Sequence, residues 1–177
     1  MAETEDRRKR TVLRTQTVMN RQQTWLTGMV LTVALILVSC DRKTIYSHYE
    51  HTQLSGWEKN DTLIFNISPV DEGGIYHEEV GLRINDLYPF MSLNLVIDHL
   101  NLTQGTVKRD TLNCSLIERD GRVKGKGVSF YQYNFHLNDL DLRAGDSLSI
   151  NIRHNMKREI LPGIADVGIK LIKAGTY

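Results

Sequence analysis

Apolar and polar side chains alternate with a period of two through most of the chain after residue 60, and turn-forming residues separate the alternating stretches. Period two is the spacing of a strand with one buried face. The apolar positions are Leu63, Phe65 and Ile67; Val80, Leu82 and Ile84; Leu93, Leu95 and Ile97; Leu112, Cys114 and Leu116; Val128 and Phe130; Leu148, Ile150 and Ile152; and Val167, Ile169 and Leu171. After residue 40 the only helix candidate is 155–161, which Pro162-Gly163 would end after about two turns. The pattern predicts an all-β fold, a single antiparallel β-sandwich of about seven to eight strands.

An uncharged apolar run, Trp25–Val38, precedes the alternating region and leads into Leu37-Val38-Ser39-Cys40. Its 14 residues suit the apolar region of a signal peptide and are few for a membrane span. A branched apolar residue, a small residue and then cysteine is the form of a bacterial lipobox. We therefore expect cleavage between Ser39 and Cys40, and lipid on Cys40 as diacylglycerol and an N-acyl chain, with no other cofactor. The alternative is a transmembrane anchor with an incidental cysteine.

The start of the leader is ambiguous. Counting from Met19 gives a signal peptide of 21 residues, whereas Met1 adds a distant basic cluster, Arg7-Arg8-Lys9-Arg10. We expect Met19 to be the initiator; the alternative is a long basic segment that strengthens the positive-inside orientation. The predicted organisation is a leader over 1–39, then lipidated cysteine, tether and first strand over 40–58, and the β-sandwich over 59–177.

The mature chain that this organisation predicts is weakly acidic. Cys40–Tyr177 has 16 Lys or Arg and 18 Asp or Glu residues, a net charge of −2, which favours no nucleic-acid partner. With Cys40 lipidated, Cys114 has no partner for a disulfide.

The sequence shows no pattern that predicts catalysis or metal binding. No Gly-x-Ser-x-Gly motif is present. His48 and His51 point to opposite faces of an extended segment, so all six histidines are expected at the surface and no metal site is predicted. Glu78 and Glu79 are interpreted as a polar strand start. Gly125 and Gly127 are interpreted as a bulge after the Asp120-Gly121 turn, since no phosphate-loop spacing fits.

A tripeptide of the form Asp-(Thr/Ser)-Leu occurs three times, with its hydroxyl at Thr62, Thr111 and Ser147. It resembles the O-glycosylation sequon of exported proteins in Bacteroidota, so these hydroxyls are candidate glycosylation sites. The alternative is structural, because Asp can end a turn before a hydroxyl residue and Leu begin a strand.

One stretch, Leu161-Pro162-Gly163-Ile164-Ala165-Asp166-Val167-Gly168, belongs to a pattern that extends over nearly all of the mature chain. Its positions are Trp57, Arg83, Tyr88, Pro89, Asp110, Gly125, Gly127, Gly163, Ile164, Asp166 and Gly168. This pattern resembles the gliding-motility lipoprotein H family of Bacteroidota, and the stretch 161–168 is its most specific part. One departure is Met91-Ser92-Leu93 before Asn94-Leu95, where the family places Asn-Leu sooner after Tyr-Pro.

The resemblance implies a non-enzymatic lipoprotein of an envelope motility or secretion assembly, with no catalytic residues. We expect it to be held in the bilayer through Cys40, to face the periplasm from the outer membrane and to bind an unidentified envelope protein. The alternative location is the inner membrane, where Asp directly after the lipidated cysteine, here Asp41, retains lipoproteins in some bacteria. The alternative is a carbohydrate-binding or hydrolytic sandwich on a lipid anchor, for which Tyr131, Tyr133 and Phe135 would be the aromatic platform. A third possibility is a subunit that is stable only within a complex.

Overall fold

The computed structural model describes residues 44–174, and its regular elements are all strands. They are β1 (Thr44–His51), β2 (Trp57–Glu58), β3 (Leu63–Ile67), β4 (Gly74–Ile84), β5 (Ser92–Asn101), β6 (Thr106–Ser115), β7 (Tyr131–Leu142), β8 (Leu148–His154), β9 (Ile160–Leu161) and β10 (Ile164–Lys173). Met19, Ser39, Cys40 and the leader lie outside the described residues, so the predictions for them stay predictions. Between residues 44 and 174 no helix has the length and hydropathy to cross a membrane.

Eight strands of five residues or more form two antiparallel four-stranded sheets, as the alternation predicts. The front sheet has the order β1-β10-β4-β7, the back sheet has the order β3-β8-β5-β6, and β2 pairs with β9 separately. Residues 44–58, assigned from the sequence to the segment before the sandwich, supply β1 and β2. The all-β sandwich prediction is confirmed.

The core lies between the sheets and is filled by the alternating apolar positions. Phe65, Val80, Ile97, Ile150 and Val167 are all fully buried. Burying such a side chain contributes about 1.5–3 kcal/mol, so the alternation stabilises the sandwich and also sets which face of each strand points inward.

One local expectation is wrong, and the one helix candidate is not a helix. Val128 and Phe130 are exposed and precede β7, because the chain turns at Gly127 (φ +143°) and the alternation restarts at Tyr131. The segment 155–161 is not a helix. Its backbone bonds to neighbouring segments instead: the Asn155 N–H donates to the Asn94 carbonyl.

The strand ends form two opposite ends of the sandwich. We call the end that carries the connections 52–62, 85–91, 116–130 and 155–163 the cleft end. We call the other end the base; it carries the start of β1 and the turns 68–73, 102–105 and 143–147.

Candidate functional site

A cleft of about 690 Å³ opens at the cleft end. Three connections and the adjoining strand ends line it, through residues 51–54 and 163–166 together with Arg83, Asn85, Leu87 and Phe130. Leu54, Leu87 and Phe130 are exposed on its walls. The cleft therefore combines accessible apolar side chains with four of the family positions, Arg83, Gly163, Ile164 and Asp166.

Three charged or ionisable side chains meet in the cleft. Asp166 is buried, and its Oδ2 lies 3.5 Å from Nη1 of Arg83, while His51 Nδ1 contacts its Oδ1. Arg83 and His51 are 43% and 84% exposed, so both remain accessible. The strand register explains the meeting, because Asp166 pairs with Arg83 on one side and with His51 on the other.

Gly163 fixes one wall of the cleft. Its carbonyl accepts a hydrogen bond from the Asn85 N–H at 2.8 Å, and its φ is +83°. A Cβ at this position would lie 2.8 Å from the carbonyl carbon of Leu87. Glycine therefore lets the turn at 162–163 lie against the turn that contains Tyr88 and Pro89.

Gly168 lies on the front sheet next to the cleft. It lies opposite Gly81 in the β10–β4 register, and a Cβ on Gly168 would stand 2.7 Å from the Tyr49 ring. The Arg83 guanidinium carbon lies 4.5 Å from the centroid of the same ring. Because neither glycine has a side chain, the Tyr49 ring can pack directly against the sheet, next to the Arg83 guanidinium.

The remaining family positions do not line the cleft. Trp57 is fully buried and its indole N–H donates to the Asp61 carbonyl at 3.1 Å. Gly125 lies against the Tyr133 and Tyr131 side chains. Gly127 lies against the Phe130 carbonyl, so both glycines shape the connection between β6 and β7.

The prediction that Glu78 and all six histidines are solvated is wrong for three residues. Glu78 is fully buried, and His99 and His154 are 5% and 1% exposed. Each lies at an inward position of its strand; Glu78 continues the row of Val80 and Leu82. Burial also lowers the pKa of His154. Strand phase could have revealed these positions, but the polar residue types argued against burial.

Asp110 is half-buried and adjoins His99. Its Oδ2 accepts a hydrogen bond from the Asn138 side chain at 2.7 Å, lies 3.1 Å from Lys108 Nζ and lies 3.5 Å from His99 Nδ1. The contacts among Glu78, His99, Asp110 and Asn138 thus link β5 and β6 of the back sheet to β4 and β7 of the front sheet. Within residues 44–174, no set of three His, Cys, Asp or Glu side chains is arranged to hold a metal ion.

The aromatic platform required by the carbohydrate-binding alternative is only partly accessible. Tyr133 is buried, and Tyr131 and Phe135 are half-buried against the core. The Tyr133 and Phe135 rings are stacked with an interplanar angle of 7°. These rings pack at the edge between the sheets.

The three candidate glycosylation sites differ in exposure. Thr111 is exposed on the outer face of β6, whereas Thr62 and Ser147 are half-buried. The Ser147 hydroxyl also lies 3.3 Å from that of Thr103. Glycosylation stays a prediction, and Thr111 is its most accessible position.

Comparison with known proteins decides the family. The family model described as GldH lipoprotein matches residues 44–171. The chain belongs to the GldH lipoprotein family. It is therefore a lipoprotein of the gliding-motility type, as the motif resemblance indicates.

Two curated relatives of the GldH family cover most of the chain. The gliding motility lipoprotein GldH of Flavobacterium johnsoniae is 28% identical over 81% of this chain and 94% of the relative. A GldH homolog of Christiangramia forsetii is 24% identical over 79% of this chain and 90% of the relative. A solved carbohydrate-binding module specific for non-crystalline cellulose is similar at TM-score 0.43 and 12% identity, over 73% of each chain. That likeness is too low to support a functional conclusion.

The cleft places a few fixed polar groups between apolar walls. Asp166 is already contacted by Arg83 and His51, and the Thr52 hydroxyl donates to the Ile164 carbonyl. Apolar walls around a few fixed polar groups are typical of recognition sites.

Proposed function

We propose that this GldH-family protein is a non-enzymatic accessory lipoprotein that binds another envelope protein through its cleft end. The observation that carries the proposal is the concentration of exposed apolar side chains there. Of the twelve large apolar side chains exposed between residues 44 and 174, seven lie in the connections of this end. They are Leu54, Leu87, Met91, Val123, Val128, Phe130 and Ile160. Apolar groups gathered at one end of a soluble domain are typical of protein-binding surfaces.

The cleft explains how such a surface can be specific. Leu54, Leu87 and Phe130 offer contacts to an apolar side chain, while Arg83 and His51 offer donors to an acceptor beside it. Buried anchors surrounded by polar contacts carry most of the free energy of binding in protein interfaces.

Affinity capture from detergent-solubilised membranes of the source bacterium tests this proposal. The bait is the full lipoprotein, compared with a Leu54→Ser, Leu87→Ser, Phe130→Ser variant. The matched control is Ile64→Ser with Val107→Ser, which removes exposed apolar groups of the back sheet. We expect the same partner with the wild type and the control, and its loss with the cleft variant. Equal capture by all three proteins would contradict binding through the cleft.

The anchor is proposed to be lipid on Cys40, and the location the periplasmic face of the outer membrane. Asp41-Arg42-Lys43-Thr44 lacks the acidic run associated with surface export in Bacteroidota, which supports a periplasmic location. Two or more acyl chains give stable anchoring, because each buried CH₂ contributes about 0.8 kcal/mol. Membrane fractionation, and protease treatment of intact and permeabilised cells, test the location. Digestion in intact cells would contradict it.

A further inference from the structure

The described residues begin at the base, opposite the cleft. Thr44 pairs with Ile172 near the end of β10, and β1 then runs to His51 at the cleft. The neighbouring base turns are joined by hydrogen bonds: Leu102 N–H donates to the Ser147 carbonyl, and Gly145 N–H donates to the Val70 carbonyl. With a rise of about 3.3 Å per residue, β1 separates the base from the cleft by about 23 Å.

The segment between the expected lipid and the fold is very short. Only Asp41, Arg42 and Lys43 separate Cys40 from Thr44. Even fully extended, this segment holds Thr44 within about 14 Å of the lipidated residue. The reach of this segment is shorter than β1. The cleft therefore cannot lie at the anchor point with the base pointing away from the membrane, because Thr44 would then be too far from Cys40.

We propose that the base rests on the phospholipid surface and directs the cleft away from the membrane. This inference rests on the proposed anchoring at Cys40, and it specifies the kind of partner. With β1 perpendicular to the membrane, the cleft would stand about 23 Å from the headgroups, since β1 spans that distance. A segment embedded in the bilayer would not reach it. The partner would therefore present a water-exposed part to the cleft.

The chemistry of the base is compatible with a lipid surface. Asp71, Glu72 and Arg143 are exposed there, Asp146 is buried in the turn 143–147, and Lys173 at the end of β10 pairs with Glu72. These side chains leave a net charge of only −1, so repulsion by anionic headgroups is weak. Leu102 is 59% exposed in the turn that follows β5, where it can enter the headgroup layer.

Fluorescence quenching in vesicles tests the orientation. Variants of the full lipoprotein with one added cysteine, Ala144→Cys at the base or Leu54→Cys at the cleft, are labelled with a maleimide fluorophore. Cys114 is fully buried and burial raises its thiol pKa to about 12, so it does not compete for label. Both proteins are reconstituted into vesicles of phosphatidylethanolamine and phosphatidylglycerol that contain a headgroup-nitroxide lipid.

We expect the label at 144 to lose most of its emission and the label at 54 to keep its emission. Equal losses would indicate a sandwich lying on its side, and a larger loss at 54 would indicate the reverse orientation; either result overturns the proposal. A flexible Gly-Ser insertion between Lys43 and Thr44 should shrink the difference between the labels. An unchanged difference would overturn the tether as its cause.

Failure of this inference can be distinguished from failure of the proposed function. Flotation of the labelled protein with the vesicles reports anchoring by itself. Loss of flotation contradicts the anchor, and with it the orientation. Partner capture with the Leu54, Leu87 and Phe130 variant uses solubilised membranes, so its result does not depend on orientation.

Discussion

Nε2 of His99 lies 2.9 Å from both carboxylate oxygens of Glu78, and this buried contact joins the two sheets of the sandwich. Glu78 is on β4 of the front sheet and His99 is on β5 of the back sheet. Buried polar groups are tolerated only when they are paired, so each residue depends on the other.

Removing one partner should cost more stability than removing both. Glu78→Leu or His99→Leu alone leaves an uncompensated buried group, and we expect a loss of about 3 kcal/mol. The double variant should regain part of that loss. Urea unfolding of the four proteins gives the coupling free energy, and simple additivity would contradict the pairing. His77→Leu, which removes an exposed partner of Asp139, is the matched control and should have little effect.

Gly168→Ala should destabilise the protein only while Tyr49 is present. Alanine in a strand is ordinarily more stable than glycine by about 0.5–1 kcal/mol. Here its Cβ meets the Tyr49 ring, and we expect a net loss of about 1–3 kcal/mol, as in overpacked sites. In a Tyr49→Ser background the same change should be neutral or stabilising. Thermal unfolding measures both changes, and an equal loss in the two backgrounds would exclude the ring as the cause.

Gly163→Ala should cost more than Gly145→Ala, although the two glycines have nearly the same φ, +83° and +87°. The left-handed backbone alone costs alanine about 1–2 kcal/mol at either site. A Cβ at Gly145 has no heavy atom within 4 Å, whereas one at Gly163 meets the backbone of Leu87 and Tyr88. Unfolding free energies measure the difference. Equal losses of stability in the two variants would contradict the close contact of the two turns. We also expect only Gly163→Ala to reduce partner capture.

Part of the stability should be lost in acid through Asp98. The hydrogen bond from Arg109 is the main cause that lowers the pKa of this carboxyl. The positive charge of Arg109, and the hydrogen bond and charge of Arg153, lower it further. A lowered pKa in the folded state gives stability that is present above the unfolded pKa of about 3.9 and is lost as pH falls through the folded pKa. Asp98→Asn should therefore weaken the protein at neutral pH and flatten its stability profile below about pH 4.

Asp120→Asn is the matched control for that experiment. Arg122 also lowers the pKa of Asp120, but this pair is exposed and screened by solvent. Its stability profile should therefore stay close to that of the wild type. If both variants flatten the pH dependence of stability equally, the position of Asp98 between Arg109 and Arg153 is not the cause of its contribution.

Glycosylation, if it follows the Asp-(Thr/Ser)-Leu motif, should occur first at Thr111. The measurement is the intact mass of protein purified from its own bacterium, compared with a Thr111→Ala variant. We expect the wild type to exceed its polypeptide-plus-lipid mass and the variant to lose a discrete part of that excess. A wild-type mass equal to polypeptide plus lipid would refute the modification at all three sites.

The strand phases were predictable because burial of one strand face is a local property of the sequence. Leu93, Leu95 and Ile97 lie inward as their alternation indicates. The same phase places His99 inward, but the polar residue type favoured the surface interpretation. Only the position of Glu78 across the sandwich shows how the burial of His99 is compensated.

By itself, the sequence determined the fold class, the inward face of most strands and the family, because side-chain alternation and short motifs are local. The tertiary structure decided which strands are neighbours. Arg83 and Asp166 are 83 residues apart and meet because β10 pairs between β4 and β1. Strand order depends on how two whole sheets pack, and no local period encodes it. The cleft, and its position opposite the start of β1, therefore emerged only from the folded chain.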